Sequence, residues 1–257
     1  MSKQQELFIK KYKANKLFIT LSRLLITIVL LTVWELLSSN NIINSFIFSS
    51  PLKVIKCIYN LYINHNLFNN IFITVYETLI AFVIGMLISI LLSTILYLFK
   101  NIHKIVEPFL TLLNSMPKVA LGPMIIIIFG ANINSVIIMG VLINVIVSTI
   151  VILNGFFNIS EIKVKLFKIY GANKYQLLRY LIIPDSFSTI ISSFKLTISM
   201  SLIGVISGEF LVSKEGLGYL IIYGTQVFNM DLVITGIILL LIISFILYKV
   251  VLYIEKK

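Results

Sequence analysis

The sequence predicts an all-α integral membrane protein of six spanning helices with one long basic loop. Three observations carry that expectation. Of 257 residues, 59% are hydrophobic and only 12% are charged, where soluble domains carry about 25% charge. Mean hydropathy is +1.04. The apolar residues gather into runs of about 20, the length needed to cross a hydrocarbon core. The runs fall at Leu17–Leu37, Phe72–Phe99, Val106–Phe129, Ser135–Leu153, Phe187–Val212 and Leu232–Ile254. No tandem repeat or soluble domain interrupts them, so residues 1–257 read as one transmembrane domain.

The first run follows a basic tail, residues 1–16. That arrangement resembles a signal peptide. The run is followed by Ser38, Ser39, Asn40 and Asn41 with no small-x-small cleavage pattern, so the expectation is an uncleaved first span. The next loop, Ser38–Ile71, contains Pro51. A proline just inside a helix start is favoured because its missing N–H would have no partner there, so Leu52–Leu61 is expected to form a short interfacial helix. The third run contains Pro117 and Pro123, each of which removes a helix hydrogen bond and forces a kink or a break. Backbone groups freed at membrane depth survive only where protein or a water-filled path covers them. Pro117, Pro123 and the neighbouring Lys118 are therefore candidates for a translocation pathway, with a packing kink as the alternative.

Orientation follows from Lys and Arg. With both termini inside, the tail, the 100–104 loop, the 154–186 loop and the C-terminal segment hold 16 of the 21 basic residues. Lys53, Lys56 and Lys214 fall outside, and Lys118 and Lys195 fall within spans. Basic residues concentrate on the cytoplasmic side, so both termini are expected there; the high Ile, Asn and Lys usage suggests an AT-rich bacterial genome and hence a bacterial plasma membrane. The same loops explain the net charge of +11 without nucleic acid.

The 154–186 loop is a polar, basic island. Val164, Phe167, Tyr170, Ala172 and Tyr175 recur at helical spacing among Lys163, Lys165, Lys168 and Lys174. This predicts an amphipathic helix outside the bilayer, broken at Gly171, where glycine tolerates the turn. Pro184 then begins the fifth span. Two readings stay open: a helix resting on anionic lipid, or one held by a soluble partner.

Within the fifth span, Lys195 and Glu209 stand 14 residues apart, about 21 Å along a helix, and cannot pair. Charges at membrane depth usually face a bundle interior or a pathway. Both are pathway candidates, although Lys195 could also snorkel to the headgroups. Gly204, Ser207 and Gly208 suit close helix packing. Gly216 and Gly218, followed by Tyr219, predict a short re-entrant segment beyond the span.

Several chemistries are excluded. There is no G-x-x-x-x-G-K-[ST] phosphate loop. The single cysteine, Cys57, has no metal-ligand set around it, and His65 and His103 are expected in loops. No pair of carboxylates is expected to be placed for acid–base work.

Gly171, nine residues, then Leu181, Ile183 and Pro184 resembles the second half of the "EAA" loop of ABC importer permeases. The Glu-Ala-Ala positions themselves are Lys165, Leu166 and Phe167 here. Further strings are similar to the nitrate, sulfonate and taurine branch of that family. They are Trp34–Glu35, Ser50–Pro51, Glu107–Pro108, Met116 to Pro123, Phe129–Gly130, Gly208–Phe210 and Gly216–Leu220. The resemblance covers Trp34 to the C-terminus. It implies that the 154–186 loop is a cytoplasmic coupling-helix loop, with Lys165, Leu166, Phe167, Gly171, Ala172, Leu181, Ile183 and Pro184 meeting an ABC ATPase subunit. It also implies a second permease copy in a homodimer, an extracytoplasmic solute-binding protein, and an outer gate around Gly216, Gly218 and Tyr219. No cofactor is expected on this chain, ATP and Mg belonging to the partner ATPase. The implied activity is ATP-driven import of a small solute, a sulfonate, taurine or nitrate, with a vitamin precursor as an alternative. Rivals from the residues alone are a secondary transporter coupled through Glu77 or Glu209, and a substrate-capturing vitamin subunit.

Overall fold

The computed structural model describes residues 3–64 and 66–255, which are helical with short connections. His65, Lys256 and Lys257, used above for loops and orientation, lie outside the described residues. Helix α1 (Lys3–Ser39) is followed by one turn, α2 (Ser45–Phe48), and by α3 (Pro51–Ile63). A helix after Pro51, as expected, is thus present. Ser50 caps it by accepting from Lys53 N–H, and Glu35 accepts from Leu52 N–H at 3.0 Å. Trp34 donates to Phe48 O at 3.2 Å. The Trp34–Glu35 and Ser50–Pro51 strings, far apart in sequence, are one structural joint between α1 and α3.

Helices α4 (Asn66–Leu98), α7 (Ile133–Phe157), α11 (Phe187–Val212) and α13 (Met230–Glu255) form the bundle. Each is long and apolar enough to cross a membrane, as is α1. Lipid chains are as apolar as leucine, so helices in a bilayer associate through close backbone approach and interhelical hydrogen bonds. Both occur here. A Cβ on Gly204 would lie 2.6 Å from Gly140 Cα, so α7 and α11 meet backbone to backbone. Asn144 on α7 donates to Ala81 O on α4 at 2.8 Å and to Ser201 on α11 at 2.6 Å. Ser89 and Ser93 on α4 donate to Val145 O and Thr149 O. Ser148 and Thr197 share a 2.7 Å hydrogen bond.

The third predicted span, Val106–Phe129, is not one helix. It is α5 (Lys100–Ser115) and α6 (Gly122–Phe129), joined through a 3₁₀ turn over Lys118–Leu121, and the two halves are bent by 93°. The break falls at Met116–Pro117, as the proline requires. Pro123 causes no break. It sits in the first turn of α6, where a missing N–H costs nothing. His103, expected in a loop, lies on α5 with its ring 4.9 Å from that of Phe157. Helix α5 buries none of its residues in this chain.

The remaining elements cap the two ends of the bundle. At the loop end, where α4 and α7 finish, lie α8 (Glu161–Ile169), α9 (Lys174–Leu177), a π-helical turn over Leu178–Ile182, and α10 (Ile183–Asp185). At the distal end, α12 (Leu217–Gln226) packs on α11 and α13.

Candidate functional site

The loop end is built by three local signals. Gly171 has φ +77°, and beside it Gly171 N–H donates to Lys168 O while Ala172 N–H donates to Phe167 O, both at 3.0 Å. These two bonds are the Schellman pattern that stops a helix, and they end α8. Asn173 then accepts from Gln176 N–H, and the Gln176 side chain accepts from Asn173 N–H, both at 2.8 Å. This capping box starts α9. Pro184 has no N–H to donate back. The turn before it widens, and Ile183 N–H reaches Leu178 O five residues back. The expected break at Gly171 is therefore a stop at Ile169, a four-residue turn and a restart at Lys174.

The helix pair has two sides. Val164 and Phe167 of α8 pack inward with Leu177, Leu178, Leu181 and Ile182 on Phe156 and Ile152 of α7. Leu166, Ile169, Tyr170 and Tyr175 stand outward, with Ile169 and Tyr170 82% exposed. The predicted amphipathic face is thus redrawn. Tyr170 and Tyr175 do not share the inward side of Val164 and Phe167, because the Schellman turn rotates the chain between them. Lys165, Gly171, Ile183 and Pro184 are exposed, Ala172 is half-buried, and Leu181 is a buried anchor. Leu177, Leu178 and Ile182 were not singled out from sequence, although their spacing before Pro184 carries the signal. Lys163 pairs with Asp185 at 2.6 Å and ties α8 to the start of α11.

At the distal end, α12 starts on Gly216, which has no side chain to cap it. Other helices supply the caps. Asn70 Oδ1 accepts from Gly216 N–H at 2.7 Å, and Thr74 Oγ1 accepts from Leu217 N–H at 2.8 Å. Glu209 Oε2 accepts from Gly218 N–H, and Glu209 Oε1 accepts from Thr74 at 2.6 Å. A Cβ on Gly216 or Gly218 would come within 2.5 Å or 2.7 Å of the Glu209 carboxylate. The two glycines read as a re-entrant signal are there so that this carboxylate can approach. The segment after them is α12, about 15 Å long at ten residues and too short to cross a membrane. Tyr219 lies on it, its ring 5.7 Å from that of Tyr223.

The pathway candidates do not converge. Glu209 is 0% exposed and acts as the α12 cap. Lys195 pairs with Glu255 at 2.8 Å, at the opposite end of α11. Lys118 donates to Asn114 O at 2.9 Å, satisfying a carbonyl left free by the end of α5. Pro117 and Pro123 flank that bend. No pair of carboxylates was expected to be placed for acid–base work, and the packing does bring two buried carboxylates together, with no acid–base task shown for them. Glu77 on α4, 2% exposed, lies within hydrogen-bonding reach of Glu209. The pair is 132 residues apart in sequence, and only the packing of α4 against α11 reveals it. Among the described residues no group of three or more His, Cys, Asp or Glu could hold a metal.

A bundle of long apolar helices with one segment bent by 93°, a stop-and-restart helix pair at one end and the short α12 at the other is that of a polytopic membrane protein. Residues 81–257 match the family described as binding-protein-dependent transport system inner membrane component, and the chain belongs to that family. A probable ABC transporter permease protein of Haemophilus influenzae is 27% identical over 89% of this chain and 92% of its own length. A putative aliphatic sulfonates transport permease protein of Bacillus subtilis is 22% identical over 97% and 90%. A formylaminopyrimidine transport permease protein of Halalkalibacterium halodurans is 29% identical over 48% and 50%. Among solved structures, an inward-facing MetNI methionine ABC transporter aligns with TM-score 0.64 and 17% identity, covering 72% of this chain and 92% of that chain. That likeness establishes the fold.

Proposed function

We propose that this permease subunit works in an ATP-driven importer of small organic or inorganic anions, such as a sulfonate, taurine or nitrate. The observation that carries the reading is the loop end. Its helix pair is fixed to the bundle through a buried apolar face, yet it turns Leu166, Ile169, Tyr170 and Tyr175 away from it. A rigid lever with an apolar outer side suits docking into a soluble ATPase, which binds ATP and Mg. The loop would then lie in the cytoplasm with both chain termini, as the distribution of lysines favours. Residues 154–186 act as the coupling loop, and Lys165, Leu166 and Phe167 occupy the front of it in place of Glu-Ala-Ala.

A second copy of the chain completes the path. Helix α5 leaves Ile105, Phe109, Leu112 and Met116 uncovered, and the bend at Pro117 projects Lys118 beside them. A facing copy would enclose a route between the two bends, with Lys118 drawing anions by Coulomb attraction. At the distal end, α12 with Gly216, Gly218 and Tyr219 would gate entry of solute delivered by an extracytoplasmic binding protein. The sulfonate relative spans nearly the whole chain and supports an anion. The formylaminopyrimidine relative supports a vitamin precursor as the second reading.

The test is purification of the tagged permease from its own cells in mild detergent, beside a Gly171→Val variant. An ABC ATPase should accompany the wild type and be lost or depleted with the variant. A wild-type permease purified free of any ATPase would refute the reading.

A further inference from the structure

Two hollows of about 280 Å³ each lie beside α8 at the loop end. Both are bordered by Tyr97 at the end of α4, Lys100 at the start of α5, and Val164 and Lys168 of α8. Lys165 also borders one, and Lys174 the other. Lys165 is spoken for in part by Glu161 at 3.4 Å. Lys100, Lys168 and Lys174 make no ion pair among the described residues. Lys100, Lys168 and Lys174 thus border the second hollow together over a floor of Leu98 and Leu177 with no acidic residue in its lining, whereas Glu161 borders the first. An anion held among them would offset their mutual repulsion. The Tyr97 hydroxyl, which makes no hydrogen bond among the described residues, is a further donor there.

The depth of the site selects the anion. Leu98 and Phe157 end two membrane-spanning helices, so the lysines sit at the level of lipid headgroups and the apolar floor faces the upper acyl region. A free phosphate would match the lysines and leave the floor bare. We infer that Lys100, Lys168 and Lys174, with Tyr97, form a site for the phosphate of an anionic glycerophospholipid, whose glycerol and first acyl carbons cover the floor beside α8. Basic pockets between spanning helices are suited to such headgroups. A bound lipid would brace α8 from beneath while its outer side stays free. The inference rests on the membrane placement of the bundle and does not require coupling to an ATPase.

The probe is phosphatidylglycerol against phosphatidylcholine with identical acyl chains, offered to the full chain in mixed micelles and read as bound lipid by native mass spectrometry. The wild type should prefer phosphatidylglycerol. Lys100→Gln with Lys168→Gln should reduce that preference about tenfold or more, since each lysine near a headgroup contributes a several-fold factor. Lys56→Gln with Lys214→Gln, away from the site, should leave it unchanged. Equal binding of the two lipids by the wild type overturns the site and needs no variant to fold. Displacement of phosphatidylglycerol by a few millimolar inorganic phosphate assigns the lysines to a free anion and overturns it too. So does a pocket variant that keeps the lipid preference but no longer retains the ATPase, which would make these lysines a docking surface. A chain with the lipid preference and no ATPase sinks the coupling proposal alone.

Discussion

Replacing Gly171 by valine should uncouple the loop while sparing the bundle. Gly171 holds φ +77°, and a Cβ built there meets nothing within 4 Å. The penalty is therefore purely one of backbone conformation. An L-residue in the left-handed region costs roughly 1–2 kcal/mol, and a β-branched one is a pronounced outlier there. That corresponds to a shift of about 5- to 30-fold away from the Schellman turn that sets α9 relative to α8. Folded domains hold about 5–15 kcal/mol, so the bundle survives. Asparagine tolerates the left-handed region, so Gly171→Asn should restore most of the function. The assay is ATPase retained on tagged permease at limiting ATPase, with thermal unfolding in detergent as the control. Expected are a loss of about 5- to 30-fold for valine, near wild-type retention for asparagine, and melting changed by no more than a few degrees. If asparagine is as damaging as valine, or valine is harmless, the turn is not what positions the docking surface.

Glu209→Ala leaves Gly218 N–H and the Thr74 hydroxyl without their acceptor; at roughly 1–3 kcal/mol for each buried donor, it should lower the melting temperature and loosen α12. Labelling of a cysteine introduced at Leu220, buried on α12, reads that loosening, because burial pushes the thiol of Cys57, the single native cysteine, upward and leaves it poorly reactive. Gly204→Ala should cost about 1–3 kcal/mol, seen as a lower melting temperature, since its Cβ meets Gly140 Cα and Met139 O, backbone atoms that cannot swing aside. Lys118→Met should slow uptake of an anionic solute several-fold if Lys118 faces the path, and unchanged uptake removes it from the path.

The spans were legible because membrane crossing imposes length and hydrophobicity on contiguous residues. Punctuation was legible too. Pro51 opens α3, Gly171 stops α8 and Pro117 breaks the third span, each through backbone chemistry confined to a few residues. What could not be read was the depth of that break, because a proline sets where a helix stops and the packing of α6 on α7 sets the 93° bend. Glu209 was visible as a costly charge, but its task depends on Asn70, Thr74 and Glu77, more than 130 residues away in sequence. Lys195 was read as a pathway or snorkelling residue, whereas its partner Glu255 comes from the far end of the chain. Local signals expose elements; pairings made across the bundle need the fold.

On the proposed reading, an ATPase drives the loop of this chain and thereby moves solute. Purified permease, the ATPase that accompanies it and the cognate binding protein should be reconstituted in proteoliposomes, and solute uptake followed with ATP or with an imposed ion gradient. The account predicts uptake that requires both ATP and the binding protein and is absent with the gradient alone. Uptake by the permease by itself on an ion gradient would contradict it and make the chain a secondary transporter.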